Sequence, residues 1–325
     1  MSSFQKINAG YNSTFHYGEL SIGIVIPIEN YANSPLPTMK DHVEKVKLID
    51  QLGFKTLWVR DVPLHVPTFG DAGQTYDPFT YLGFLAGQTE RIALGVSSIA
   101  LPLHHPIHVA KSVNTIDQLS DGRLILGIAS GDRKEEYPAT GFDYESRGAS
   151  FRDAYDFIRA SEKDFPILKN NQFGSLDGST DILPKPHGTK TPMLVTGHSQ
   201  QSIEWIAEHA DGWMYYPRDM QSQELRIQEW RRLISSSQTW SKPFMQPLYI
   251  DLMKQNDFKP QGIHLGIRTG TDFLIEYLNA IKNIGVNHVA LNLRFNTADI
   301  KYTLELLAEK VLPQFHTHKV KTNHE

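Results

Sequence analysis

The sequence predicts a (β/α)8 barrel, the TIM-barrel fold, and three observations predict it. Eight short, β-branched apolar runs alternate with longer stretches of helical period. Most of the runs are apolar throughout rather than alternating, the pattern of strands covered on both faces. Alternation on this scale makes a parallel sheet, and eight units favour closure into a barrel over an open doubly wound sheet. A barrel of 325 residues is ordinary as one domain, and no linker, low-complexity tract or charge block divides the chain. One domain over 1–325 is therefore expected, with a core from about 20 to 313, polar ends, and inserted segments at the strand C-terminal face.

The runs are Ile22–Ile28, Thr56–Val59, Ala93–Ser97, Leu124–Ala129, Met193–Thr196, Trp213–Tyr216, Leu248–Leu252 and His288–Asn292. Between the first two, Met39, Val43, Val46 and Ile49 share a helical face, and Gly53 supplies the stop. Asp77 followed by Pro78 is a helix-start signal, capping residue then proline at the first helical position. The third helix runs from about Ile107 to Leu119, and a long amphipathic one from Ser146 to about Leu168. Ser199 is expected to cap the fifth helix, whose inward face carries Ile203, Ile206, Ala207 and Ala210. Later helices fall near Gln221–Ser235, Thr271–Ile284 and Asp299–Val311, the last stopped by Pro313. Pro63–Tyr76 and Gly131–Glu145 are long loops after strand ends, hence on the catalytic face. Asn170–Thr191 has the Gly, Asn and Pro content of an inserted hairpin.

Composition excludes several classes. The chain has no cysteine, so disulfides, thiolate zinc, iron–sulfur clusters and cysteine nucleophiles are ruled out. A net charge of −4 gives no reason to expect a polyanionic partner. The start lacks a signal peptide's basic and apolar regions, and no apolar run approaches the roughly 20 residues of a membrane span, so a cytoplasmic protein is expected.

In a parallel barrel the active site is built from residues just after each strand. Those positions hold small hydroxyls and glycines, few paired carboxylates, and no hydrolase triad, zinc signature or GxxxxGK[ST] loop. No metal site is expected. In Thr196-Gly197-His198-Ser199-Gln200 a strand ends, a glycine permits close approach and a helix starts, a combination that holds phosphate on amides. Capping statistics alone favour Ser199 as a plain cap, whereas its place on the catalytic side of a late strand favours a ligand. Ser97 and Ser98 either hydrogen-bond a heterocycle or satisfy local backbone. His104 and His105 read as solvated or capping histidines before Pro106. Arg133, Lys134, Arg218 and Arg294 either receive an anionic substrate or are solvated, and Trp213, Tyr215 and Tyr216 either wall a cavity or pack.

Taken in order, these segments resemble a known family. Leu52-Gly53-Phe54-Lys55-Thr56-Leu57-Trp58-Val59-Arg60-Asp61, Asp77-Pro78-Phe79, Thr89-Glu90-Arg91-Ile92-Ala93-Leu94-Gly95, His105-Pro106, Leu119-Ser120-Asp121-Gly122-Arg123-Leu124 and Ala207-Glu208-His209-Ala210-Asp211-Gly212-Trp213 are similar to successive segments of the luciferase-like flavin-dependent monooxygenases and their deazaflavin-dependent reductase relatives. Each is short, but their ordered set covers nearly the whole chain. The resemblance implies FMN at the strand C-terminal face, reduced by a separate flavin reductase, which with O2 oxidises a small organic substrate. It also implies a homodimer or higher assembly. Because the cofactor carries the chemistry, the protein's task is to bind, orient and exclude water.

Carried over residue by residue, the resemblance puts Ser97 and Ser98 at a bulged strand end against the flavin ring, and Ser130 and Gly131 near the cofactor. Gly197, His198 and Ser199 become its phosphate turn, and Tyr137 and Arg147 border that phosphate. Asp61 takes the acidic position after the second strand. Luciferases carry His directly after that acid, whereas here Val62 and Pro63 follow. His65 takes the catalytic role beside Asp61 if the loop folds back. The departure argues against light emission and for a divergent substrate. A deazaflavin-dependent reductase or dehydrogenase is the alternative, although many of those keep the same His. A non-catalytic flavin-binding protein and a flavin-free barrel complete the set.

Overall fold

The computed structural model describes residues 3–34, 36–237 and 239–316. Eight parallel strands close into a barrel: β1 (Ser21–Val25), β2 (Thr56–Val59), β3 (Ala93–Ala100), β4 (Leu124–Ala129), β5 (Met193–Thr196), β6 (Gly212–Met214), β7 (Phe244–Leu252) and β8 (His288–Asn292). Each pairs in parallel with the next, and β8 pairs with β1 from His288 opposite Ser21 to Leu291 opposite Ile24. The ring has no open edge. Four strands match the expected bounds residue for residue. β1 ends early, before a cis Ile26–Pro27 bond, and β3 and β7 run longer.

Two apolar layers explain why the strands are apolar throughout. Val25, Trp58, Ala93, Ile125, Leu194, Met214, Met245 and Ala290, one from each strand, form the filled interior. Their neighbours along the strands, such as Ile24, Leu57, Leu94 and Leu126, belong to the larger layer between barrel and helices. The interior is crowded enough that a Cβ on Gly95 would lie 2.3 Å from the Trp58 ring. Phe4, Ile7, Tyr11 and Phe15 join this inner cluster. They stand on or beside a short helix, Ala9–Thr14, held where the Tyr11 hydroxyl donates to the Asp211 carbonyl at 2.8 Å. The core therefore begins well before residue 20.

The helical signals hold where a cap decides them. Asp77 accepts from the Thr80 amide at 2.7 Å with Pro78 at the first position, and Gly53 closes the His42–Leu52 helix at φ 89°. Two expectations fail. The helix from Arg147 ends at Ser161, and Ile167–Leu168 is instead one arm of a small hairpin with Leu176–Asp177. Pro166, which has no amide hydrogen to give, stands between the two. The fifth helix is Ile203–His209, capped by Ser202 rather than Ser199. A second hairpin, Gln261–Ile263 with Gly266–Thr269, continues the sheet beside the C-terminal half of β7. No helix among the described residues is long and apolar enough to cross a membrane.

Candidate active site

The C-terminal ends of the strands open into a cleft. Its floor passes into an inner chamber at the barrel centre, and Arg60, Ser97, Thr196 and Tyr216 belong to the walls of both.

Asp61 follows β2 and is almost fully enclosed, its side chain 2% exposed. One of its oxygens accepts from the Ala100 amide at 3.1 Å and meets His104 Nε2 at 2.8 Å. Burial pushes the His104 imidazole down, yet the hydrogen bond and charge of Asp61 outweigh it and leave the ring above the ordinary histidine value. The partner of Asp61 is therefore His104, not His65, which is exposed and stands outside the residues lining the cleft. His104 sits in the turn after β3, and the segment Pro63–Tyr76 carries His65 elsewhere. Only one of the two adjacent histidines caps: His105 accepts from the Ile107 amide.

In β3 the register shifts between Val96 and Ile99, so Ser97 and Ser98, joined by a cis peptide, bulge into the cleft half-buried. Ser130 and Gly131 leave β4 on the same side. Tyr137 does not line the cleft; it is buried beneath, and its hydroxyl donates to the Ser130 carbonyl. Gly131 takes φ 74°, and a Cβ there would come within 3.0 Å of that hydroxyl.

After β5 the chain makes a turn rather than entering a helix. Gly197, Ser199 and Gln200 have φ of 57°, 47° and 59°. The Ser199 hydroxyl donates back to the Thr196 carbonyl at 2.8 Å, so it caps nothing. Gly197 gives its amide to the Met214 carbonyl at 2.8 Å, and its own carbonyl accepts from Trp213 Nε1 at 2.6 Å. The start of the Arg147–Ser161 helix abuts this turn, where Gln201 Nε2 donates to the Gly148 carbonyl at 2.9 Å. Arg147 lines the cleft with its guanidinium 3.7 Å over the Tyr144 ring and one Nη donating to the Tyr144 carbonyl. Its Nε is buried without a hydrogen-bond partner among the described residues. A donor left in that state costs free energy, and an anionic oxygen in the cleft would relieve it. Burial and nearby Arg226 hold His198 below the ordinary value, so it is neutral near pH 7.

Thus Asp61, Ser97, Ser98, Ser130, Gly131, Arg147, Gly197, His198 and Ser199 surround one cleft, with Tyr137 bracing it from below. Sequence reasoning read His104 as solvated or capping, because it is near Asp61 only through the β2–β3 pairing, and it gave no role to Arg60, which follows a strand. It also could not see the contacts made by the loop after β2. Phe69 of the loop after β2 lies 4.4 Å under the Arg133 guanidinium, and Asp71 holds Arg60 at 2.7 Å and Arg294 at 3.0 Å. Arg294 is thereby a structural clasp, not a solvated arginine. Among the described residues no three histidines or carboxylates converge to hold a metal ion.

Residues 20–239 match the family model described as luciferase-like monooxygenase. The chain belongs to that family. An uncharacterised protein of Mycobacterium tuberculosis is 32% identical over 194 residues, 55% of this chain and 68% of that one. The alkanal monooxygenase alpha chain of Photorhabdus luminescens is 27% identical over 177 residues, 54% of this chain and 47% of its own length. Among solved structures, a monooxygenase from Streptomyces bottropensis superposes with TM-score 0.75 at 17% identity, covering 91% of this chain and all, 100%, of that one. An F420-dependent secondary alcohol dehydrogenase, solved with an F420-acetone adduct, gives 0.73 at 17% identity over 92% and 99%. At such identities the structural likeness speaks for the fold. Luciferase-like monooxygenases are oxidoreductases, and this chain carries their barrel with a cleft at the strand ends.

Proposed function

We propose that this luciferase-like chain oxidises a small organic substrate with reduced FMN and O2. The observation that carries the reading is the buried Arg147 Nε, without a hydrogen-bond partner among the described residues, in the same cleft as the turn Gly197–Gln200 with its left-handed Gly197, Ser199 and Gln200, a cradle for a phosphate. Consecutive amides in such a turn form a concavity that favours anions. Bound there, FMN would supply the redox and oxygen chemistry.

The chain's own residues would do the rest. Arg147 and the turn amides hold the phosphate, while Ser97 and Ser98 face the heterocycle. The inner chamber, walled by Met214, Met245 and Tyr215, keeps water from the reacting atoms. Asp61 fixes the His104 tautomer by accepting from Nε2–H, so the pair stores a proton at the cleft margin. Reduced FMN would come from a separate flavin reductase, and a homodimer is part of the same proposal, to be read by light scattering.

FMN titration followed by fluorescence quenching tests the cradle: Arg147→Met should weaken binding by about 1.5–3 kcal/mol. Oxygen uptake with an FMN reductase and an added aldehyde or ketone panel then tests the oxidation. Binding of F420 but not FMN would overturn the FMN reading for a deazaflavin-dependent one. Binding of neither would overturn both.

A further inference from the structure

The inner chamber is apolar, with Met214, Met245, Val25 and Ala290 in its wall, and Arg60 is its single charged lining side chain among the described residues. The Arg60 guanidinium has five N–H donors, and among the described residues its side-chain partner is one carboxylate oxygen, Asp71 Oδ2, at 2.7 Å. That same oxygen also takes Arg294 at 3.0 Å, while the other Asp71 oxygen accepts the Gly73 amide at 2.7 Å. Two guanidiniums thus share one carboxylate beside a chamber lined by no acid, and a positive charge is left over. Arg60 and Arg294 are 18% and 13% exposed, so water compensates this surplus only in part. Tyr249 and Asn292 add hydrogen-bonding groups on the same wall.

We infer that the inner chamber takes a small organic acid, its carboxylate or sulfonate head on the Arg60 guanidinium and its apolar body against Met214 and Met245. This rests on the outer cleft being the cofactor's, and it names the class of substrate that would sit beneath it. The shared chemistry is a single oxyanion on a short apolar chain. A neutral aldehyde or alcohol of the same length would leave the Arg60 charge uncompensated and bind less tightly.

Calorimetric titration of the full chain with hexanoate, hexanesulfonate and 1-hexanol tests it, with and without saturating FMN. The expected result is an oxyanion preference of at least about ten-fold over 1-hexanol, the size of one charge-assisted hydrogen bond. That preference is lost in Arg60→Met and partly kept in Arg60→Lys. Equal binding of hexanol and the acids to the wild-type chain overturns the inference, and this comparison needs no variant. So does displacement of hexanoate by FMN, which would make the chamber part of the cofactor site. Failure of FMN to bind strikes the flavin reading alone, because the oxyanion preference of the unloaded chain is measured separately.

Discussion

His104 is the residue whose role depends most on its partner. Its imidazole is above the ordinary value because Asp61 outweighs burial. A histidine whose folded value is raised adds stability that is full below its unfolded value of about 6.5 and fades as pH climbs through the folded one. Urea unfolding of wild type and His104→Asn should therefore show the stability gap closing as pH rises from 6 towards 9. Ser199 makes the complementary case. Its hydroxyl is spent on the Thr196 carbonyl. Ser199→Ala should lower stability by about 1 kcal/mol and leave FMN affinity nearly unchanged, since the proposed cradle holds the phosphate on backbone amides rather than on this hydroxyl. A large loss of affinity would mean that the hydroxyl itself reaches the phosphate. Neither role was legible in one dimension: Asp61 and His104 are 43 positions apart, and a serine after a strand looks like a cap until its φ is known.

At the scale of elements, the legible part was what local chemistry controls. Asp77 with Pro78 starts a helix, Gly53 ends one, and β2, β4, β5 and β8 have the bounds their apolar runs predict. The Ser146–Leu168 helix was drawn too long because its apolar period continues through Pro166, where the backbone cannot follow. The hairpin at Gln261–Thr269 was missed because its arms are short and partly exposed, so burial leaves no alternating pattern. The correction at the fifth helix gives a test. Ser202→Ala should cost about 1 kcal/mol, read by thermal or urea unfolding, because its side chain caps the Trp205 amide.

At the scale of the molecule, the inward layer joins all eight strands and is filled to contact. Gly95→Ala should destabilise by about 1–3 kcal/mol in urea unfolding, because the new methyl meets the Trp58 ring. The same layer contains a buried acid sensor. His288 lies between Ser21, with its hydroxyl 2.6 Å from Nδ1, and Trp58, whose Nε1 donates to Nε2 at 2.9 Å. Burial, helped by neighbouring His316, lowers its pKa to about 3. The folded ring stays neutral while the unfolded one takes a proton below about 6.5, so stability falls with pH across that window by up to ~1.4 kcal/mol per unit. His288→Gln should remove that slope, seen as about 2 kcal/mol less loss than wild type between pH 7 and pH 5.

The sequence by itself determined the barrel, the face that carries the site and most of the residues around it. In a parallel barrel, strand order and strand ends are both local facts: each apolar run is followed by its own loop, and every loop opens on the same rim. Tertiary structure alone decided which rim residues touch. It paired Asp61 with His104 across two strands and left His65 exposed. It turned Arg294 into a clasp on Asp71, and among the described residues it left Arg60 as the one charged side chain lining the chamber. Such contacts depend on distances of a few ångströms between loops remote in the chain, where neither periodicity nor a capping preference carries information.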